Sequence, residues 1–300
     1  MNPADPSGPR RLVVADYDLD ATLGGGQAFG WSRVGTGWEG VVAGRWVRIE
    51  ARDGAWTIRT ARAEADWEWL DRYLGWDEDL ATVIATFPDD APMRDAVAAC
   101  RGLRLLRQDP WECLAGFICS TTKQVVQIQE MVALLARRHG DPVATPEGVA
   151  PRNAFPRPER IVEAGEAALR GCKLGFRAPY LWATAREVAE GRLDLDALAK
   201  RPEDEARAAL MELPGVGRKV ADCVLLFGLG FPNAFPVDVW IARALGRLYF
   251  PRARKLTQRR LLRFSTTHFG PHGGYAQQYL FHHARMNLGR AWAVDSAKKT

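Results

Sequence analysis

The chain has 300 residues, 47% apolar and 26% charged, which excludes a fibrous or wholly disordered protein and leaves room for two domains. A net charge of +5 mildly favours a polyanionic partner. The five cysteines are scattered and form no C-x-x-C pair, so neither a zinc site nor a disulfide framework is indicated, and a reducing compartment is expected.

Residues 1–10 are rich in Pro and Gly and read as disordered. No apolar signal region opens the chain, and no run of 18 apolar residues occurs, so the expectation is a cytoplasmic protein with no membrane span. From Arg11 to about Thr60 the text is strand-like. WEGVVAG, RWVRIE and AWTIRT are short, β-branched and aromatic, and Arg52–Trp56 (RDGAW) carries an Asp-Gly hairpin signal. After Glu64 the spacing of apolar residues changes to three and four, the period of a helix. ADWEWLDRYLGW, APMRDAVAACRGLRLL and WECLAGFICSTTKQVVQIQEMVALLARRHG follow in that order, and helix with short loops continues to Arg290. The class is therefore α+β: a small N-terminal antiparallel sheet packed on a larger helical body. The expected division is 1–10 disordered, 11–97 β-rich and 98–295 helical.

One segment of the helical part carries chemistry. EDEARAALMEL is an amphipathic helix that Pro214 ends, Gly215 and Gly217 permit positive φ, and RKVADCVLLFGL begins a second helix at once. A helix, glycine hairpin and helix can turn backbone amides outward to a phosphate, with Gly215, Val216, Gly217 and Arg218 at the contact. A plain αα-hairpin is the alternative. Lys219 falls in the first turn of the second helix, where the helix dipole and Arg218 disfavour its ammonium form. It reads either as an amine nucleophile able to form a Schiff base or as a second phosphate contact. Asp238 lies nineteen residues further on, after Pro236 and Val237, and suits an N-cap. If the fold brings Asp238 to Lys219, a nucleophile and a negative charge meet, a pair suited to breaking an N-glycosidic bond through an oxocarbenium-like transition state.

LPGVGRK (Leu213–Lys219) followed by PVD (Pro236–Asp238) resembles the helix–hairpin–helix, Gly/Pro-Asp superfamily of DNA glycosylases. GGGQAFGW, LLRQDPWECLAGFICSTTK, KLGFRAPYL, KVADCVLLF and FGPHGGYAQQYLF resemble its 8-oxoguanine DNA glycosylase branch, in order and spacing, over about residues 12–290. The resemblance implies a base-excision repair enzyme acting on double-stranded DNA that contains 8-oxoguanine. Lys219 would be its nucleophile and Asp238 its carboxylate, and it would act as a monomer with some β-lyase activity. It also implies a base pocket. Oxidation at C8 turns guanine N7 into an N–H donor, and the carbonyl of Gly26, before Gln27, would accept from it. Gln277 would bond the base edge, Phe281 would stack on the ring, and Cys223 would lie against its other face. From the residues alone, Gly26 also reads as a turn, Phe281 as core and Cys223 as a small buried hydrophobe. The branch has an asparagine where this chain has Thr122, an arginine at Gln127, a histidine at Trp240 and a tyrosine at Phe176, while Arg177 is kept. These departures bear on recognition of the base left opposite. No cofactor is required by this reading, and a monovalent cation on the backbone carbonyls of Met211, Leu213 and Val216 is implied by resemblance only. The alternatives are a monofunctional alkylpurine glycosylase using Asp238 and water, and a non-catalytic DNA-binding module.

Overall fold

The computed structural model describes residues 8–288. The disorder expected for residues 1–10 falls largely outside these, as do the last residues of the expected helical region; Arg10 opens the first strand.

Strand β1 (Arg10–Val13) is followed by a short helix α1 (Leu19–Gly24), then β2 (Ser32–Val34), β3 (Gly37–Val42), β4 (Arg45–Arg52) and β5 (Ala55–Thr60). They form one antiparallel sheet in the order β1-β5-β4-β3-β2. The Asp-Gly signal is the β4–β5 turn, with φ of 51° at Asp53 and 74° at Gly54, so both central residues are left-handed as a two-residue hairpin requires. Ala43 and Gly44 repeat that geometry between β3 and β4. Alternation buries Val47 and Ile49 of β4 and Trp56 and Ile58 of β5 on one face. There they meet Leu23, Trp31, Leu70 of α2 (Glu68–Tyr73) and Leu106. Helix α1 breaks the strand-like reading of residues 11–60; Asp18 starts it by accepting from the Ala21 amide.

The remaining helices form the second core. In chain order they are α3 (Leu80–Ala85), α4 (Ala91–Ala99), α5 (Pro110–Cys119), α6 (Val125–His139), α7 (Pro158–Gly171), α8 (Ala178–Ala189), α9 (Leu195–Leu198), α10 (Glu203–Met211), α11 (Arg218–Phe227), α12 (Val239–Tyr249), α13 (Gln258–His268) and α14 (Gly273–His283). A small hairpin of β6 (Pro142–Val143) and β7 (Arg152–Asn153) joins α6 to α7. Leu80, Val83 and Met93 pack into this helical core, as do Ala21 and Phe29 from the N-terminal part, while Leu106 packs with the sheet, so the two cores interleave along the chain. Helix α5 carries Glu112 in its first turn and is buried at every residue from Cys113 to Cys119. Helix α11 packs along it, with Phe117 stacked on Phe227 at 5.6 Å.

Helices α10 and α11 are stapled by charge. Asp222 of α11 is 1% exposed, and Arg207 Nε donates to it at 2.7 Å while Arg218 Nε donates to its other oxygen at 3.0 Å. Glu203 and Asp204 complete the neutralisation of Arg207. Removing one member of a buried pair strands the other. Asp222→Ala is expected to destabilise the fold by about 3 kcal/mol in chemical denaturation, and a loss below the noise of that measurement would remove the staple from the account.

Candidate active site

The hairpin between α10 and α11 closes with the Val216 amide donating to the Leu213 carbonyl at 3.1 Å. Gly215 has φ of 78°, and a Cβ there would lie 2.5 Å from the Tyr180 ring, so only glycine fits. Gly217 differs from expectation: its φ is −90°, and it is the N-cap of α11 with no side-chain cap. A Cβ on Gly217 would meet nothing within 4 Å. The first amides of α11 therefore face an open surface without an internal partner, the arrangement that binds a phosphate. Arg218, expected at that phosphate, instead turns back along α11 to Asp222, and Val216 is buried.

Lys219, one residue further on, points the other way. Its Nζ donates to Ser120 Oγ at 3.3 Å and lies 4.9 Å from the centre of the Phe117 ring. Asp238 caps α12 by accepting from the Ile241 amide at 2.7 Å. Both side chains line one cavity of about 40 Å3. Burial pushes the Asp238 carboxyl above the usual aspartate range, against the opposing pull of the Ile241 amide and the Lys219 ammonium. N-capping and proximity to Lys219 are thus not alternatives, because Asp238 does both. Cys223, on the next turn of α11, also lines the cavity, and burial raises its thiol to about 12. It is a neutral wall there and not a thiolate.

The far side of the cavity comes from α14 and the glycine triplet. Gln277 is 4% exposed; its Nε2 donates to the Pro236 carbonyl at 3.1 Å, which leaves Oε1 buried without a partner. Phe281 lines the same cavity and is half-buried. Gly26 has φ of 84°, and a Cβ on it would lie 3.1 Å from Arg285 and 3.3 Å from Val125. Gln27 anchors the triplet: it is fully buried, donates to the carbonyls of Thr22 and Arg104, and accepts from the Leu106 amide. Arg285 donates to the carbonyls of Gly24 and Gly25 at 3.4 and 3.3 Å. Sequence reading missed Arg285, Ser120, Phe117 and Gln278, which also lines the cavity. Only Arg285 carries a sequence signal, its place one helical turn after Phe281.

A second group lies outside the cavity. Phe176 is 53% exposed on a 3-10 turn (Gly175–Arg177), with the Arg177 guanidinium 4.2 Å from its ring. Arg177 is itself buried. It donates to the Thr121 carbonyl, to the Leu174 carbonyl at 3.1 Å and to Thr122 Oγ1 at 2.9 Å. Thr122 is exposed with φ of 58°, a strained conformation for a β-branched residue. Gln127 is exposed in the first turn of α6, where its Oε1 accepts from the Gln124 amide. That leaves its amino group as the outward donor. Trp240, next to Asp238, packs on Ala244 and Ala284 with Arg243 5.6 Å from its ring.

Residues 115–265 match the HhH-GPD superfamily of base excision DNA repair proteins, and residues 11–114 match the 8-oxoguanine DNA glycosylase N-terminal domain. The chain belongs to the HhH-GPD superfamily. A probable N-glycosylase/DNA lyase of Methanothermobacter thermautotrophicus is 31% identical over 92% of this chain and 96% of its own length. An N-glycosylase/DNA lyase of Arabidopsis thaliana is 30% identical over 91% of this chain and 79% of its own. The solved structure of Clostridium acetobutylicum 8-oxoguanine glycosylase/lyase with double-stranded DNA superimposes with a TM-score of 0.87 at 27% identity, over 94% of this chain and 96% of that one. The helix α10, the Leu213–Gly217 turn, α11 and Asp238 all fall within the matched residues 115–265.

Thr122→Asn places a residue that tolerates left-handed φ at the strained position while keeping a side-chain oxygen for Arg177. The variant is expected to unfold about 1 kcal/mol later than the parent; a lower thermal midpoint would show that Thr122 Oγ1 outweighs the strain.

Proposed function

We propose that the chain is a bifunctional DNA glycosylase and abasic-site lyase that extrudes 8-oxoguanine from double-stranded DNA and excises it. The observation that carries this reading is Gln277 Oε1, a buried acceptor without a partner in a cavity that also holds Lys219 and Asp238. Guanine and 8-oxoguanine offer donors, N1–H and the 2-amino group, on the edge such an acceptor would meet. Gly26 supports the lesion-specific part: among the described residues nothing donates to its carbonyl, so it is free to accept the N7–H that oxidation at C8 creates. Ligand pockets occupy roughly 300 Å3 or more, against about 40 Å3 here. Phe281, half-buried at the cavity edge, would therefore move when a base enters and then lie on its face.

The chemistry follows from the positions. In its neutral form Lys219 Nζ attacks C1′ of the flipped nucleotide. The C1′–N9 bond breaks, and the base leaves with that electron pair and takes up a proton. Positive charge develops on the sugar, and ionised Asp238 stabilises it. Loss of the amine proton and opening of the sugar ring give a Schiff base. Removal of a C2′ proton then expels the 3′ phosphate and cuts the strand. Outside the cavity, Phe176 would wedge into the stack, and the amides of α11 would hold a backbone phosphate.

The carbonyls of Met211 and Val216 accept no hydrogen bond among the described residues, and Leu213 has one lone pair engaged. Such carbonyls suit a hard monovalent cation that would brace the hairpin against a phosphate. Among the described residues no helix is long and apolar enough to cross a membrane. A monomer in the cytoplasm, associated with the nucleoid if the source is bacterial, completes the reading.

Lys219→Gln should still bind DNA but lose the borohydride-trapped covalent complex, because a Schiff base needs a primary amine; undiminished trapping would sink the assignment. Asp238→Asn keeps the cap and removes the charge, and base excision should fall by about 100-fold. Because protonation discharges Asp238 and burial raises its pKa, wild-type excision should decline on acidification from a pH above the ordinary aspartate range. The residual activity of Asp238→Asn should lack that decline, and an identical acid limb in both proteins would assign the titration elsewhere.

The resemblance gives recognition of the opposite base to Arg177 and the residue at Gln127. Here Arg177 is buried with its nitrogens turned to Thr121, Leu174 and Thr122, which leaves a single neutral donor at Gln127 facing outward. A neutral donor holds cytosine O2 and N3 less strictly than a guanidinium does. Single-turnover excision opposite cytosine should exceed that opposite the other three bases only modestly, and Gln127→Arg should sharpen the preference. A wild-type preference for cytosine on the order of 100-fold would mean that Arg177 suffices, since each base contact discriminates by roughly 1–3 kcal/mol.

A further inference from the structure

Gln278 follows Gln277 on α14, is 2% exposed and lines the same cavity. Its Nε2 is sealed from solvent and has no partner. A Cβ built on Gly25 would lie 3.4 Å from that nitrogen, so the amide sits against the glycine triplet. Buried amides in native proteins are nearly always bonded. The cavity thus holds an orphan acceptor on Gln277 and an orphan amino group on the next residue. Arg285, which also reaches the glycine triplet, is already engaged by the carbonyls of Gly24 and Gly25.

We propose that Gln278 is a specificity-determining residue that donates to O6 of the extruded base and selects 6-oxopurines. The assignment rests on the base-pocket reading above. Around the edge of 8-oxoguanine the polar positions run N7–H, O6, N1–H and the 2-amino group. Gly26 is placed to accept the first and Gln277 Oε1 the third. O6 lies between them, and on the protein Gln278 is the residue that touches the triplet and adjoins Gln277. With no partner to hold it, its amide is free to turn its amino group toward that oxygen. A 6-aminopurine would present a donor at the same point and meet a donor.

The experiment pairs the residue with the atom. Single-turnover excision of 8-oxoguanine and of 8-oxo-6-thioguanine, whose sulfur is a weak acceptor but whose N1–H is retained, is measured for the wild type and for Gln278→Met. Incision of a preformed abasic site reports folding and lyase competence. The expected result is an about tenfold loss on 8-oxoguanine in the variant, the size of one good base contact, with abasic-site incision unchanged. The thio substitution should slow the wild type and add little to the slower rate of the variant. Gln278→Glu, an isosteric second variant with an acceptor in place of the donor, should lose at least as much. Equal sensitivity to the thio substitution in wild type and variant would overturn the proposal, as would unchanged 8-oxoguanine excision. Loss of abasic-site incision in both variants would also overturn it, making the amide part of the lyase framework. A wild type that incises abasic sites but leaves 8-oxoguanine intact would instead overturn the base-pocket reading itself.

Discussion

The burial of α11 against α5 is the constraint on which the site depends. From Val220 to Phe227 every residue of α11 is buried, so the helix cannot slide or turn without opening the core. Only its first turn reaches the surface. That turn faces two ways: the amides after Gly217 face open space, while the Lys219 side chain reaches Phe117 of α5 and Ser120, the residue that caps it. The helix thereby converts a fixed packing into a fixed distance between the proposed phosphate contact and the proposed nucleophile. The Arg207–Asp222 pair prevents α10 from pulling the hairpin away, which is why a carboxylate is tolerated at a position with almost no exposure.

Burial also sets the protonation chemistry. In the proposed reaction Asp238 must be ionised to stabilise a cationic sugar, yet its burial favours the neutral acid. The Ile241 amide and Lys219 offset part of that penalty. A carboxylate poorly solvated in the ground state interacts strongly with positive charge when it develops. Cys223 experiences the same desolvation with no compensation sufficient to ionise it, and so remains an apolar wall.

The protein carries unfavourable features where ligand contacts would be. Gln277 and Gln278 each leave an amide atom buried without a partner, and Thr122 holds a left-handed backbone that suits an asparagine better. All three lie at the cavity or at the exposed edge beside Arg177. Buried atoms without a partner also occur away from the cavity, at Trp46 of β4, Arg104, His139 and Thr184, whereas the left-handed turn residues of the sheet sit at hairpins that require them.

Much of this was legible in the sequence. Alternation and an Asp-Gly turn marked the sheet, three- and four-residue spacing marked the helices, and the Pro-Gly-x-Gly run followed by Lys219 and Asp238 marked two residues that share one cavity, because local backbone preferences leave a local record. The conformation of Gly217, the inward turn of Arg218 and the placing of residues 80–97 in the helical core were not legible. Nor was it decided, before the fold joined α11 to α12, that Asp238 both caps α12 and lines the cavity of Lys219. The base cavity is the clearest case: residues near 26, 120, 219, 238 and 278 are far apart in the chain and meet only through packing. Sequence reveals which residues can donate, accept or attack; burial and the partners already engaged decide which of them are left to do so, and those follow only from the tertiary structure.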